Sequence, residues 1–590
     1  MTPEKSFLFP KSVLGNIWIQ SKVDEAISKQ LKHHGDYPQI ICDLIASRDI
    51  APSQVSHFLN PTLKHFLSDP FLLKDMKQAV DRIIKAIRNN QKITVYGDYD
   101  VDGATSTSLL IRFFRMLGVE IQFYIPDRQT EGYGPNTKAF EQLSASGTHL
   151  IITVDCGTLS FEPIAAAKRM GTDVVVIDHH AGAATHPECV ALVNPNRLDE
   201  TSPLKHLAAV GISFMLCVAV TQSLREKGYF NDSPTPDLMS LLDIVALGTV
   251  CDVVSLTGLN RAFVTQGLKV LSQSKNKGLI CLLNLLNIDT HQISPYHLGF
   301  VIGPRINAGG RIGTSTLGTN LLSSDDDAVV KAAAEQLNLL NEERKLLQES
   351  ALIDADAQVD PEAPIIVVSS TEWHQGIIGI VAGRLKDKYH KPTFVIAIDP
   401  ETKEGKSSAR SIPGFDIGHS IHLAHEHNVI LQGGGHPMAG GFSLKRSQLD
   451  GFISFMTHHV RSTLSQENSM RKRTFDGNIS LNSLTVSLHD LIQQIGPFGS
   501  GNPSPKFLFS NVTLKKVIVM QEKHIRCFLE DPISGKTAEA LIFQAFQSPI
   551  GNFLLKHQYK QIDILGTLKK DSWQDRVTLK IWIEDARIPS

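Results

Sequence analysis

Between residues 92 and 196 the chain repeats one pattern: a short unbroken apolar run, a polar turn, then often a longer stretch of mixed character. The runs are "KITVYGD", "EIQFYIPD", "HLIITVDCG", "DVVVIDHH" and "VALVNPN", and the first precedes the small-residue helix "GATSTSLLIRFFRMLG". Runs without polar alternation belong to buried strands, and helices between them predict a parallel, doubly wound sheet in an α/β domain. Upstream, residues 1–75 mix short helical patterns with proline-punctuated turns such as "LNPTLKHFLSDPFLLKDM". Downstream, 325–359 opens on three aspartates and sets Ala333, Leu337, Leu340, Leu347 and Ala351 at helical spacing. An acidic start suits a helix N-terminus, so this stretch predicts one long connector helix. "APIIVVSS" and "GIIGIVAGRLKDKYHKPTFVIAI" predict a second α/β unit. "KFLFSNVTLKKVIVM", "HIRCFLED" and "RVTLKIWIED" predict a small β-barrel. The expected parts are an N-terminal segment 1–75, a parallel-sheet domain 76–324, the connector 325–359, a second α/β domain 360–465 and a barrel 471–590.

Composition narrows this only a little. The 590 residues are 42% hydrophobic and 20% charged with net charge −2, which is ordinary globular material for three or four domains. No whole-chain basic field advertises nucleic acid, so any such contact requires a local groove. Seven cysteines (Cys42, Cys156, Cys189, Cys217, Cys251, Cys281, Cys527) stand singly, with no CxxC pair. That usage predicts reduced thiols and a cytoplasmic protein. With no signal-peptide core and no apolar run of membrane-span length, no membrane partner is expected.

The candidate chemistry lies where the runs end. Asp98, Asp100 and Asp102 follow the first, Asp155 follows "IITV", Asp178 with His179 and His180 follows "VVVI", and Asp252 sits in "VALGTVCDVV". Loops at the C-terminal ends of parallel strands converge on one crevice, so these residues predict an acidic pocket with one or two imidazoles. An aspartate after a strand is ordinarily a turn or cap residue. Four acidic elements at strand ends go beyond that. Oxygen-rich donor sets suit Mg²⁺ or Mn²⁺, and an imidazole tilts the choice to Mn²⁺.

"DYDVDG", "VDCG", "DHH" and the later "CD" resemble the motifs of the DHH phosphoesterase superfamily. "EGYG" (Glu131 to Gly134), "GPRINAGGR", "WHQGIIGIVAGRL", "SSARSI", "GGGHPMAGG" and "IGPFGSGNPSP" (Ile495 to Pro505) are similar, in this order, to the RecJ family of bacterial single-stranded-DNA-specific 5′→3′ exonucleases. Ala409 stands in "SSARSI" where glycine is expected, between Ser408 and Arg410.

The resemblance implies two ions, Mn²⁺ or Mg²⁺. Asp98 and Asp100 would hold one, Asp102, His179 and Asp252 the other, and Asp155 would bridge them. His180 would face the scissile phosphate, and Asp178 would orient the ligating imidazole beside it. The second α/β unit becomes a DHH-associated domain and the barrel an OB fold. Arg311, Ser408, Arg410 and the Gly433–Gly441 loop, with Gly434, Gly435 and His436, would bind a 5′-phosphate through arginine forks and close backbone N–H groups. In the barrel, Phe475, Phe507, Phe509, Phe528, Trp573 and Trp582 are candidate stacking rings, and Lys515, Lys516, Lys569 and Lys570 candidate phosphate contacts.

The implied substrate is a single strand of DNA with a 5′ end, cut by a monomer in recombination and repair, with a single-strand-binding protein and a RecQ-like helicase as partners. A DHH phosphodiesterase acting on cyclic dinucleotides or short oligonucleotides, or an inactive DNA-binding scaffold, are the alternatives. On this reading, loss of 471–590 weakens capture of long strands and leaves the metal site intact.

Overall fold

The computed structural model describes residues 11–35, 37–128, 130–132, 134–464, 471–573 and 576–589. They form two compact units, 61–346 with 497–503, and 1–60 with 347–496 and 504–590. Strands are numbered along the chain from β1 (Ile17–Gln20).

The first unit is built on β2 (Ile93–Gly97), β3 (Gln122–Tyr124), β4 (Leu150–Val154), β5 (Asp173–Ile177) and β6 (Ala191–Val193). They lie in the order β3-β2-β4-β5-β6, every pair parallel. β2 and β4 are buried along their whole length. β3, expected as a buried strand, is a half-exposed edge, because only β2 pairs with it. The stretch around "VALGTV" is a helix, Leu242–Cys251, buried on nearly every side. A short apolar run has the same pattern in a buried helix as in a buried strand. Asp252 therefore enters from a helix end and not from a strand end.

The connector is one helix, Asp327–Ala357. Its first half buries Val330, Ala333, Leu337 and Leu340 in a core with Ile306 and Leu321. Its last turns bury Ala351 and Ala355 beside Val381 and Leu385. Leu347, counted on the apolar face, is 37% exposed.

In the second unit β7 (Ile366–Ser370), β8 (Thr393–Ile398), β9 (Glu404–Arg410), β10 (Gln432–His436) and β11 (Ala439–Lys445) form a mixed sheet ordered β10-β11-β9-β8-β7. After β12 (Lys472–Phe475) and β13 (Gly477–Asn478) come β14 (Phe507–Met520), β15 (His524–Glu530), β16 (Thr537–Ile542), β17 (Gln561–Trp573) and β18 (Arg576–Arg587). Their order is β14-β15-β16-β18-β17, and β14 also pairs with β17. That pairing closes a five-stranded barrel and removes its open edges.

The two units divide the chain at places other than the expected boundaries. Segment 1–75 is not one piece. Trp18 packs with Phe475, Leu508 and Leu565 of the barrel region, β1 pairs with β12, and Asn16 and Trp18 donate to the buried Asp585 at 2.7 and 3.0 Å. Leu63 and Leu73 instead belong to the core of the parallel-sheet unit. Within 471–590, residues 497–503 group with the unit of the parallel sheet.

Candidate metal centre and nucleic-acid surface

Sheet register assembles the site. Gly97, Val154, Ile177 and Val193 are Cα partners across β2, β4, β5 and β6. The residues that follow them are Asp98, Asp155, Asp178 and Asn194. One polar row thus leaves the C-terminal edge of the sheet, where open parallel sheets bind ligands. The turn after β2 needs Gly103, since a Cβ there would lie 2.5 Å from the Asp98 carbonyl oxygen. Asp100 caps helix Val101–Met116 by accepting from the Gly103 N–H at 3.0 Å. Asp102 accepts from the Ala209 and Val210 N–H groups at 2.7 and 2.9 Å. Asp155 adopts a left-handed backbone, φ 60°, the kind of strain that clusters at functional sites.

The ligand atoms of Asp98, Asp100 and Asp155 lie within 4.8 Å of one another, as do those of Asp102, His179 and Asp252, and those of Asp155, His179 and His180. His179 Nε2 is 3.3 Å from Asp155 Oδ1 and 3.9 Å from Asp102 Oδ2, while its Nδ1 is 3.6 Å from Asp252 Oδ2. Asp178 stands apart from these groups. It accepts from the N–H groups of Thr158 at 2.9 Å, His179 at 2.7 Å and His180 at 3.1 Å, and pairs with His180 Nδ1 at 2.8 Å. The ring it orients is therefore His180, and not the ligating His179, because its side chain turns back under its own loop. Asn194 and Asn196 hold the same loop by donating to the carbonyls of His180 and His179.

The donor set fits divalent cations. Asp98 Oδ1, Asp155 Oδ1 and Asp252 Oδ2 are buried and accept no hydrogen bond, a costly state for carboxylates unless a countercharge sits among them. Burial, then the charge of Asp100, pushes Asp98 and Asp155 well above the usual carboxylate range. The same causes push Asp102 up to about 7. Burial, then Asp102 and Asp100, pushes Asp252 up to about 9. Burial, then His180, lowers His179 to about 4, so it is the neutral imidazole a metal needs. Burial opposes the charge of both Asp178 and His180, but their mutual bond wins. It holds Asp178 low and raises His180.

A pH dependence follows. Carboxyls whose pKa is raised in the fold bind protons more tightly there than in the unfolded chain. The contribution of Asp102 and Asp252 to stability without metal is therefore greatest below about pH 4 and is lost as pH rises through about 7 and 9. A cation replaces those protons. Mn²⁺ should accordingly raise the melting midpoint more at about pH 8.5 than at about pH 5.5. Equal gains in calorimetry at both values would mean the carboxylates are already ionised without it.

Residues 92–249 match the DHH family, N-terminal domain, 362–462 the DHHA1 domain, and 475–585 the RecJ OB domain. The single-stranded-DNA-specific exonuclease RecJ of Bacillus subtilis is 32% identical over 576 residues, covering 97% of this chain and 71% of that protein. The chain belongs to the RecJ family. The Haemophilus influenzae RecJ is 36% identical over 82% of this chain and 86% of its own length. The crystal structure of RecJ from Thermus thermophilus in complex with Mn²⁺ superposes with TM-score 0.82 at 26% identity, over 97% of this chain and 80% of that one.

The residues expected to bind substrate fall in both units. In the second, Arg410 and Ser408 lie on β9, where Arg410 Nη1 donates to Ser408 Oγ at 3.2 Å. The glycine-dense stretch is a hairpin of β10 and β11 and not a loop, because every residue from Gln432 to His436 finds a partner between Ala439 and Ser443. Ala439 pairs with both His436 and Arg410, and Gly441 with both Gly434 and Ser408. Register thus gathers Ser408, Arg410, Gly434, Gly435 and His436 at one end of the sheet. Ala409 is buried between Phe394 and Gly440.

Arg311 lies in the first unit, on helix Gly303–Ile312. Burial, then Arg128 and Arg344, lowers it to about 10. Arg128, 5.3 Å over the Tyr99 ring, was missed in the sequence. It lies in the loop that follows β3, at the sheet edge where Asp98 follows β2, and that placement was the available signal. Of "EGYG", Tyr133 lies outside the described residues.

In the barrel, Phe475, Phe507 and Phe509 are core residues, and the Trp573 side chain lies outside the described residues. Phe528 is half-buried, while Trp582 is 39% and Phe543 50% exposed. Phe543 packs edge-on to Trp582 at 5.1 Å and to His524 at 5.2 Å. Arg526 lies over Phe528 and Lys569 over Trp582. Lys515 and Lys570 are engaged by Glu530 and Asp490. Phe543, just past β16, carried no basic neighbour in the sequence to single it out.

Proposed function

We propose that this chain is a metal-dependent exonuclease that digests single-stranded DNA from the 5′ end and releases 5′-mononucleotides. The observation that carries this reading is the sharing of Asp155 and His179 between neighbouring cation groups. Asp98, Asp100 and Asp155 would hold one ion, and Asp102, His179 and Asp252 the other, with Asp155 shared. Such a pair offsets charge on the attacking and leaving oxygens of a phosphoryl transfer and acidifies water. His180, held at Nδ1 by Asp178, offers its Nε2–H to an oxygen of the scissile phosphate. The raised pKa favours the imidazolium that carries that proton. Asn194 and Asn196 keep the loop from turning. The exposed rings of the barrel take bases of the strand by stacking that tolerates any sequence. Strands opened by a helicase and covered by single-strand-binding protein are the substrate in the cell.

A strand labelled at its 5′ end should give labelled mononucleotide at the first turnover with Mn²⁺ and none with chelator. Earlier release of a 3′ label, or equal digestion of duplex, overturns the reading. Cleavage confined to dinucleotides would favour the small-substrate phosphodiesterase.

Polarity requires a pocket for the terminus, because internal phosphodiesters look alike to a metal pair. Ser408, Arg410, Gly434, Gly435 and His436 form it in this proposal, and Arg311, whose charge Asp100 feels, takes a phosphate oxygen of the strand. A charge-assisted bond to a terminal phosphate contributes roughly 1.5–3 kcal/mol. Arg410→Ala should lower kcat/KM on 5′-phosphorylated strands about tenfold or more and much less on 5′-hydroxyl strands. Equal losses on the two substrates would place terminus recognition elsewhere.

A further inference from the structure

The glycine-rich segment Ile495–Pro505 has no part in the chemistry above, yet residues 497–503 pack with the metal-bearing unit while both flanks belong to the other. The segment is a closed loop. Gly499 and Asn502 exchange backbone hydrogen bonds of 2.9 and 3.2 Å, and Asn502, 2% exposed, donates from Nδ2 to the Pro497 carbonyl at 2.9 Å. Its contact is with Ser255 and Leu256, three and four residues past Asp252. The Leu256 N–H donates to the Ser500 carbonyl at 2.8 Å. Gly501 has φ +69°, and a Cβ on it would stand 1.9 Å from Ser255 Oγ and 2.9 Å from Ser255 Cβ. A Cβ on Gly499 would stand 2.7 Å from Leu256 Cδ1.

The segment so held is short and strained. Asp252 ends helix Leu242–Cys251, and the next helix, Gly258–Leu271, has Thr257 as its N-cap. Between them Val253 is 68% exposed with φ 60°, a backbone that β-branched residues avoid. Nothing in the local sequence favours that conformation, so an outside contact must maintain it. Leu256, 2% exposed, is the anchor, and the loop covers it.

We propose that Pro497–Pro503 is a strap that fixes the Asp252–Leu256 turn and so aims the Asp252 carboxylate at His179, with Ser500 and Gly501 as positioning residues. The inference rests on the reading of Asp252 as a metal ligand. Residues that orient a ligand ordinarily change metal affinity by about 10–100-fold when lost.

The test is Mn²⁺ affinity of the full chain, read by the paramagnetic resonance of free Mn²⁺ without DNA, for Gly501→Ala, Ser255→Gly and the two combined. Gly501→Ala drives a methyl into Ser255 and should weaken one of the two Mn²⁺ sites about tenfold or more. Combining it with Ser255→Gly opens the space and should restore much of that affinity. Asn502→Ala loosens the loop without a clash, and should act in the same direction if Gly501→Ala does not fold. Wild-type Mn²⁺ affinity in folded Gly501→Ala or Asn502→Ala overturns the strap. A double variant no tighter than Gly501→Ala overturns the contact with Ser255. Asp252→Asn separates the two levels: if it too binds Mn²⁺ as the wild type does, the ligand reading fails and not the strap.

Discussion

Asp155→Ala is expected to abolish nucleotide release while the chain stays folded and retains part of its strand binding. Asp155 is the residue that the Asp98–Asp100 group and the His179–His180 group have in common. On the proposed assignment, truncating one outer ligand would weaken one ion, whereas losing Asp155 would remove a ligand from both. Changes in groups that merely orient a ligand cost about 10–100-fold, so a shared ligand should cost on the order of 10³-fold or more. Folding should survive. An ionised carboxylate here lacks donors for Oδ1, and its removal relieves its own repulsion with Asp98, Asp100 and Asp102. Single-turnover rates at saturating Mn²⁺, with circular dichroism of the same sample, check both halves. Wild-type turnover in that sample would sink the two-metal assignment.

Replacing Trp582 and Phe543 together by alanine should weaken binding of long single strands about 30-fold or more and leave cleavage of a tetranucleotide unchanged. Both rings are exposed and in contact. In the strand order, β15 and β16 take the places of the strands whose face binds oligonucleotides in OB folds. Trp582 on β18 pairs with Leu541 on β16, and Leu541 with Arg526 on β15. Each stacked base contributes roughly 1–3 kcal/mol, so two rings at the low end give the quoted loss. The core aromatics Phe507 and Phe509, 1% and 0% exposed, should instead lower the melting midpoint when truncated. Fluorescence anisotropy with a long oligonucleotide measures the first effect. An equal loss on the tetranucleotide would mean the rings support the fold and not the strand.

The parallel sheet and its acidic row were legible from the sequence because both are local. Buried strands write unbroken apolar runs, and chain direction in a parallel sheet sends every following residue to the same edge. Asp98, Asp155 and Asp178 could be placed together before any coordinates, and the long helix announced itself through spacing that sampled one face. Tertiary structure decided what depends on residues far apart in the chain. Asp252 was read at a strand end, but "VALGTV" is a buried helix, and burial on all sides erases the period that separates the two. Asp178 looked like the partner of His179, and only the backbone's turn after β5 gives it to His180. The glycine-dense stretch was read as a loop until its register with β9 made it a hairpin. Which barrel aromatics face water depends on strand closure, which spacing alone does not specify. Division of the N-terminal segment, and entry of Pro497–Pro503 into the metal-bearing unit, rest on contacts such as Trp18 with Asp585 and Leu256 with Ser500. Hydrophobic periodicity reports that a residue is buried, and only the folded chain decides against which partner.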